Sequence, residues 1–240
     1  ALFYITSAGL QGEDAISVLT QSLKASALGL GEVSSIADLS TSALNAYGAK
    51  NLSAADATDV MVATIREGKL ASEELAGTMG RVLPLAVQMG VKFNDVGAAF
   101  AALSRVGFDA SEAATAVRQI LAGLVAPSRQ AADAMTGLGT SSAALRKIIR
   151  EEGLLAGLKE LGERFGTNET AAAAVFGNIR ALSGVLSLIG PNAETTSKIF
   201  EAMANNVGDT DKAFAAQAGG GALAMKQASA ALKDSFLALG

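Results

Sequence analysis

Apolar residues recur along this chain at steps of three and four, the period of an α-helix, and glycine, proline or a Ser/Asn cap cuts the runs roughly every 15 to 20 residues. The densest stretch is Ala71–Gly90. Leu75, Met79, Val82, Ala86 and Met89 share one helical face there, Ser72 reads as the N-cap, and Gly90 ends the run. Pro84 has no amide hydrogen and its ring crowds the carbonyl of Gly80, so a kink is expected between Gly80 and Pro84. From Val82 to Met89 only Pro84 and Gln88 interrupt the aliphatic run, which predicts burial on most sides. This kinked helix reads as the packing centre of the fold.

The same reading applied in chain order predicts a series of short helices. Ile16, Leu19, Leu23, Ala27 and Leu30 form a stripe that closes at Gly29–Glu32, and Ile36, Leu39, Ala43 and Ala46 form one closed by Tyr47-Gly48. Ser53 caps Ala57, Val60, Met61, Thr64 and Ile65, which end near Gly68. Asn94 is expected to cap Val96, Phe100 and Leu103 up to Gly107, and Ser111 to cap Ala114, Val117, Leu121 and Leu124 up to Pro127. A short alanine-rich helix over 128–139 follows. Ser141 or Ser142 then opens a helix with Leu145, Ile148 and Ile149 that Gly153 breaks, and Leu154, Leu158, Leu161 and Phe165 continue to Gly166. Ala172, Val175, Ile179, Leu182, Leu186 and Ile189 form the most regular pattern, a heptad seam too short for a coiled coil and expected to pack within the chain. Asn192 or Thr195 opens the next helix, with Ile199, Phe200 and Met203.

Two units repeat. ASEELA at Ala71–Ala76 and ASEAAT at Ala110–Thr115 lie 39 residues apart, as do Gly68 and Gly107. The capped starts NLSAADA and KFNDVGA, at Asn51 and Lys92, are 41 apart. Two similar helical hairpins are favoured over a repeat array, which needs three or more copies. The fold class expected is all-α: a compact multi-helix domain of short to medium helices, with those hairpins in its first half and no β-sheet. Its helical core is placed at residues 1–218, a glycine hinge at 219–221, and the truncated start of a following helix at 222–240, with Met225, Ala228, Leu232, Phe236 and Leu239 on one face.

Composition narrows the chemistry. Half of the 240 residues are hydrophobic but only 5% aromatic, alanine makes up about a fifth, and there is no His, Cys or Trp. Thiolate nucleophiles, His-based triads, zinc-finger sites and disulfides are thereby excluded. The net charge of −4 argues against binding driven by phosphate contacts. The longest charge-free runs, Ala181–Ala193 and Ala213–Met225, hold thirteen residues each, short of the roughly 18–20 that span a bilayer. No secretory leader pattern stands at the start, and a chain opening at Ala1 inside the apolar run ALFYI reads as a piece of a longer protein.

Candidate chemical groups each have a plainer reading. Glu73-Glu74 and Glu151-Glu152 are adjacent carboxylates about 100° apart around a helix, not a facing acid–base pair, and Glu73-Glu74 favour the helix dipole in a first turn. Arg146, Lys147 and Arg150 form a basic cluster that Glu151 and Glu152 follow at once, which reads as a solvated face. The glycine strings at 29–31, 137–139 and 219–221 carry no P-loop Lys-Ser/Thr. Ser22 stands two residues before Lys24, the wrong spacing for a Ser–Lys pair, and Ser104-Arg105 has no supporting set. No residue is placed in a catalytic, cofactor-binding or metal-binding role, and the reading is that of a non-enzyme.

One set of motifs is specific in its order. An AYG turn at Ala46–Gly48 precedes GKLASEELA at Gly68–Ala76, GRVLPLA at Gly80–Ala86, GVKFNDVGAA at Gly90–Ala99 and ASEAATAVRQ at Ala110–Gln119 before Pro127. LKELGERFG at Leu158–Gly166 and FGNIRALSGVL at Phe176–Leu186 follow, and Ser7–Glu32 fits upstream. Together they resemble the core region of tail tape-measure proteins of tailed bacteriophages and prophages, over most of the chain. The resemblance implies a structural virion protein that templates tail-tube assembly, sets tail length and is ejected ahead of the DNA. Its place would be the tail lumen after synthesis in the bacterial host cytoplasm. Its implied partners are tail tube and tail tip proteins and a few copies of itself, with no cofactor and no specific nucleic-acid binding. The frequent helix breaks set this segment apart from the ruler helix. The alternative is a membrane-active helical domain, with the host membrane as partner, suggested by small-residue runs such as Gly97–Ala99 and Ala171–Ala174.

Overall fold

The computed structural model describes residues 1–166 and 168–218, apart from the side chains of 72, 169 and 218; the glycine hinge at 219–221 and the stripe over 222–240 lie outside the described residues. Among the described residues there are fifteen α-helices and no strand. They begin with α1 (Leu2–Ser7), α2 (Gly12–Ala27), α3 (Val33–Tyr47) and α4 (Ala54–Glu67). Ser53 caps α4 as expected: its hydroxyl accepts the Asp56 amide at 3.1 Å, while the Asp56 carboxylate accepts the Ser53 amide at 3.2 Å.

The stretch 71–90 is broken rather than kinked. It forms α5 (Ser72–Met79) and α6 (Leu83–Met89), joined by a turn in which the amides of Arg81 and Val82 bond to the carbonyls of Thr78 and Met79. Pro84 therefore sits in the first turn of α6, where no intrahelical donor is required, instead of inside a helix that it would bend. Ala71, not Ser72, occupies the N-cap position. Leu75, Met79, Val82, Leu83, Ala86 and Met89 are buried, but Pro84, Val87 and Gln88 face solvent, so α6 is amphipathic and not covered on most sides. Gly90 ends it in the left-handed region at φ 79°, and the Val91 amide reaches back to the Ala86 carbonyl at 2.8 Å.

α7 (Phe93–Arg105) and α8 (Ala110–Val125) each start one residue before the expected cap. Asp109, not Ser111, closes a capping box with Glu112. Asn94 lies inside α7 and donates instead to the Met203 carbonyl at 2.8 Å, a contact across 109 residues. Beyond these come α9 (Arg129–Gly137), α10 (Ser142–Glu152), α11 (Leu154–Phe165), α12 (Glu169–Phe176), α13 (Ile179–Ile189), α14 (Ala193–Ala204) and α15 (Asp209–Ala218). The heptad seam is interrupted at Gly177-Asn178, which ends α12 and restarts the chain as α13. The restart rotates the buried arc. Ala181, Val185 and Leu188 point inward on α13, while Ile179 is 76% and Leu186 47% exposed. A smaller rotation affects α2, whose buried face is Ala15, Val18, Leu19, Ser22 and Ala25, with Ile16 outside.

Packing centres on α4 and α7. α4 touches α2, α3, α7, α14 and α15, and α7 also packs against α8 and α14. The helices that correspond in the sequence repeat lie side by side, α4 on α7 and α5 on α8. α4, α7 and α14 converge tightly at Gly97: a Cβ there would fall within 3.0 Å of Thr64 Oγ1, Met203 Cε and Val60 Cγ1.

Candidate functional site

Concave surface forms where the repeat pair meets the C-terminal half. A cleft of about 520 Å³ lies between the N-terminal ends of α7 and α11 and the face of α14, lined by Lys92, Asn94, Asp95, Glu152, Lys159 and Phe200 among others. Asp95 organises it. One carboxylate oxygen accepts the Leu154 amide at 2.8 Å, across the turn at Gly153, whose φ of 100° lets α10 end and α11 begin at once. Burial raises the Asp95 pKa above the ordinary aspartate value of 3.8, against the lowering pull of the Leu154 amide and the charge of Lys92. Burial, with the charge of Asp95 beside it, also raises the pKa of Tyr47. The Tyr47 hydroxyl donates to the Val91 carbonyl at 2.9 Å, and its ring lies 5.9 Å from that of Phe93. These contacts brace the entry to α7; they leave no nucleophile beside a base.

The raised pKa has a measurable consequence. Between 3.8 and the higher folded value the unfolded chain ionises Asp95 first, so the native state binds more protons and loses stability as pH rises. The stability of the native chain minus that of Asp95→Asn should therefore fall with rising pH through this window, by at most about 1.4 kcal/mol per pH unit. Urea titrations of both proteins at a series of pH values read this directly, and a difference that grows with pH would contradict it.

A second groove, about 620 Å³, runs between α8 and α13 with Val106, Phe108 and Ile179 as its apolar part and Glu112 and Arg180 at its edges. Arg146, Lys147 and Arg150 line a smaller depression on α10 with Glu151. Part of this basic cluster is structural, since a Cβ at Gly90 would come within 3.3 Å of the Cγ, Cδ and Nε atoms of Arg150. Glu73 and Glu74 are exposed in the first turn of α5, and Glu151 and Glu152 are exposed at the end of α10. Ser22 is fully buried while Lys24 bonds to Asp211 at 2.7 Å. Ser104 donates to the Ala101 carbonyl and accepts the Lys69 amide, holding the turn after α4, and Arg105 bonds to the Glu67 carbonyl. Gly29 lies in the turn that closes α2, and Gly137 ends α9 with Gly139 in the turn after it. Among the described residues no group of three His, Cys, Asp or Glu side chains could hold a metal ion, and no helix is long and apolar enough to cross a membrane.

Two carboxylates that hold distant amides escaped the sequence reading. Asp95, half-buried, is one. The other is Asp59, 2% exposed in the middle of α4, whose oxygens accept the amides of Gly208 at 2.6 Å and Thr210 at 2.8 Å. The one sequence signal was its place between Ala57 and Val60, two residues of the predicted apolar stripe.

A family model described as phage-related minor tail protein matches residues 1–181. The tape measure protein of Pneumococcus phage Dp-1 is 25% identical over 215 residues, covering 85% of this chain. The match takes in 18% of that relative, so the chain spans about a fifth of its length. No solved structure matches the chain.

Proposed function

The chain belongs to the phage-related minor tail protein family, and from that membership we propose that it is a folded domain of a tape-measure protein, carried beside the ruler helix rather than forming part of it. It has a structural role as a phage tail component. The observation that carries the finer reading is the length of its helices. None among the described residues exceeds 16 residues, about 24 Å of rise, and α1–α14 pack around one core instead of running end to end. A ruler segment measures by rise per residue; this segment does not extend that way. We place the domain at residues 1–218, in the tail lumen, in contact with tail tube and tail tip proteins and with other copies of itself. The parent protein would template tube assembly, set tail length and leave ahead of the DNA, a passage that suits the mild net charge of −4.

Deletion in the parent phage protein tests this. Removing α9–α11 from a ruler helix would shorten the tail by about 1.5 Å per residue removed, on the order of 55 Å. A folded domain instead responds by failing to assemble, or by assembling at unchanged length. Tail lengths measured by electron microscopy decide, and shortening in proportion to the deletion would overturn the proposal.

A further inference from the structure

Helix α15 is attached to the body by different forces from the other helices. Thr210 is its one buried side chain among those described; Asp209, Ala213 and Phe214 are half-buried and the rest of its described side chains are more exposed. The preceding α14, of similar length, buries Thr196, Ile199, Phe200 and Met203. What holds α15 against α2 and α4 is polar. Asp59 accepts the two amides at its N-terminus. Arg66 bonds to Asp209 at 2.6 Å and Lys24 to Asp211 at 2.7 Å, the two acids standing in its first turn. Burial lowers the Arg66 pKa, but Asp209 and Glu67 outweigh that and hold it above its ordinary value. Among the described residues, three of the four buried side-chain polar atoms without a hydrogen-bond partner, Gln21 Oε1, Ser22 Oγ and Thr210 Oγ1, also belong to α2 and α15, which pack on each other.

We infer that α15 is an ionic latch: it opens as a unit with rising salt, while the helices of the α4–α7–α14 core stay packed. The outer partner of each pair is about half exposed, Arg66 at 49% and Asp211 at 58%, while Asp209 at 14% and Lys24 at 24% are more covered, so salt screens both pairs from their outer side. The Asp59 contacts are buried and little screened, so they favour the closed state at any salt, but the apolar contact that would add to them in α15 is small. Opening uncovers the socket formed by Asp59, Arg66 and Lys24, whose chemistry fits a helix N-terminus with acidic residues at its first and third positions. In the closed state that helix is α15 itself.

Hydrogen exchange of the 240-residue chain tests the inference. Going from about 0.01 M to about 1 M NaCl shrinks the screening length from about 30 Å to about 3 Å. Exchange at the amides of 210–218 should then accelerate about tenfold relative to the amides of α7, the loss expected from two partly exposed pairs. A Lys24→Gln/Arg66→Gln double variant should show that faster exchange already at low salt and lose its dependence on salt. Salt-independent exchange in α15 of the native chain, or salt dependence retained in the double variant, would overturn the latch.

Discussion

Gly97→Val is expected to lower stability by about 3 kcal/mol, at the upper end of what overpacking a filled core costs. The residue lies in α7 where α4 and α14 both press on it, and its added side chain would meet Thr64, Val60 and Met203 together. Thr64 is held by its hydroxyl bond to the Val60 carbonyl at 2.7 Å, and both residues are fully buried. Only Met203 has the freedom to swing aside, and it is buried too. Gly123 in α8 is the control, because nothing lies within 4 Å of a Cβ built there. Gly123→Ala should stabilise by about 0.5–1 kcal/mol, the ordinary gain of alanine over glycine in a helix. Thermal unfolding reads both: for a chain of this size about 3 kcal/mol lowers Tm by roughly 6–12 °C. A native-like Tm for Gly97→Val would contradict the close approach of the three helices.

Phe100→Ala is expected to cost about 3–5 kcal/mol. Phe100 is among the largest fully buried side chains and lies one turn along α7 from Gly97, in the helix that packs against α4, α8 and α14. Truncating it removes the transfer free energy of the ring and leaves a cavity that three neighbouring helices cannot close together. That is a large share of the roughly 5–15 kcal/mol that stabilises a typical domain. Urea unfolding should show a lower midpoint at unchanged slope. A loss under about 1.5 kcal/mol would mean that the site collapses and that α7 is not the hub of the core.

Local signals were read well where a helix follows its own pattern and less well where a partner intervenes. The stripes Ile36–Leu39–Ala43, Val96–Phe100–Leu103 and Leu154–Leu158–Leu161 are buried as their spacing predicts. Ser53 and Ser141 cap their helices, and Gly90, Gly107 and Gly153 mark ends or turns with positive φ. The misplacements have definite causes. Ser111 lost the cap to Asp109, whose box with Glu112 pairs two amide donors at once, and Asn94 was drawn into a bond with the distant Met203 carbonyl. The seam over 172–189 failed because a pattern of threes and fours continues through Gly177-Asn178 while the helix does not. No sequence spacing could have paired Asp59 with Gly208 or Asp95 with Leu154, since each bond closes a loop of many residues.

The sequence by itself determined the class and the family. Helix-forming residues, caps and glycine stops act within a few residues of chain, so an all-α fold and the place of most breaks could be read without a structure, and the ordered motifs pointed to the tape-measure resemblance. The tertiary structure alone decided which arc of each helix is covered, why one helical glycine is indispensable and another free to change, and how α15 is held. Periodicity specifies a stripe but not its neighbours. Burial, close approach and the pairing of buried charge depend on helices brought together from distant parts of the chain, and that information appears only once they pack.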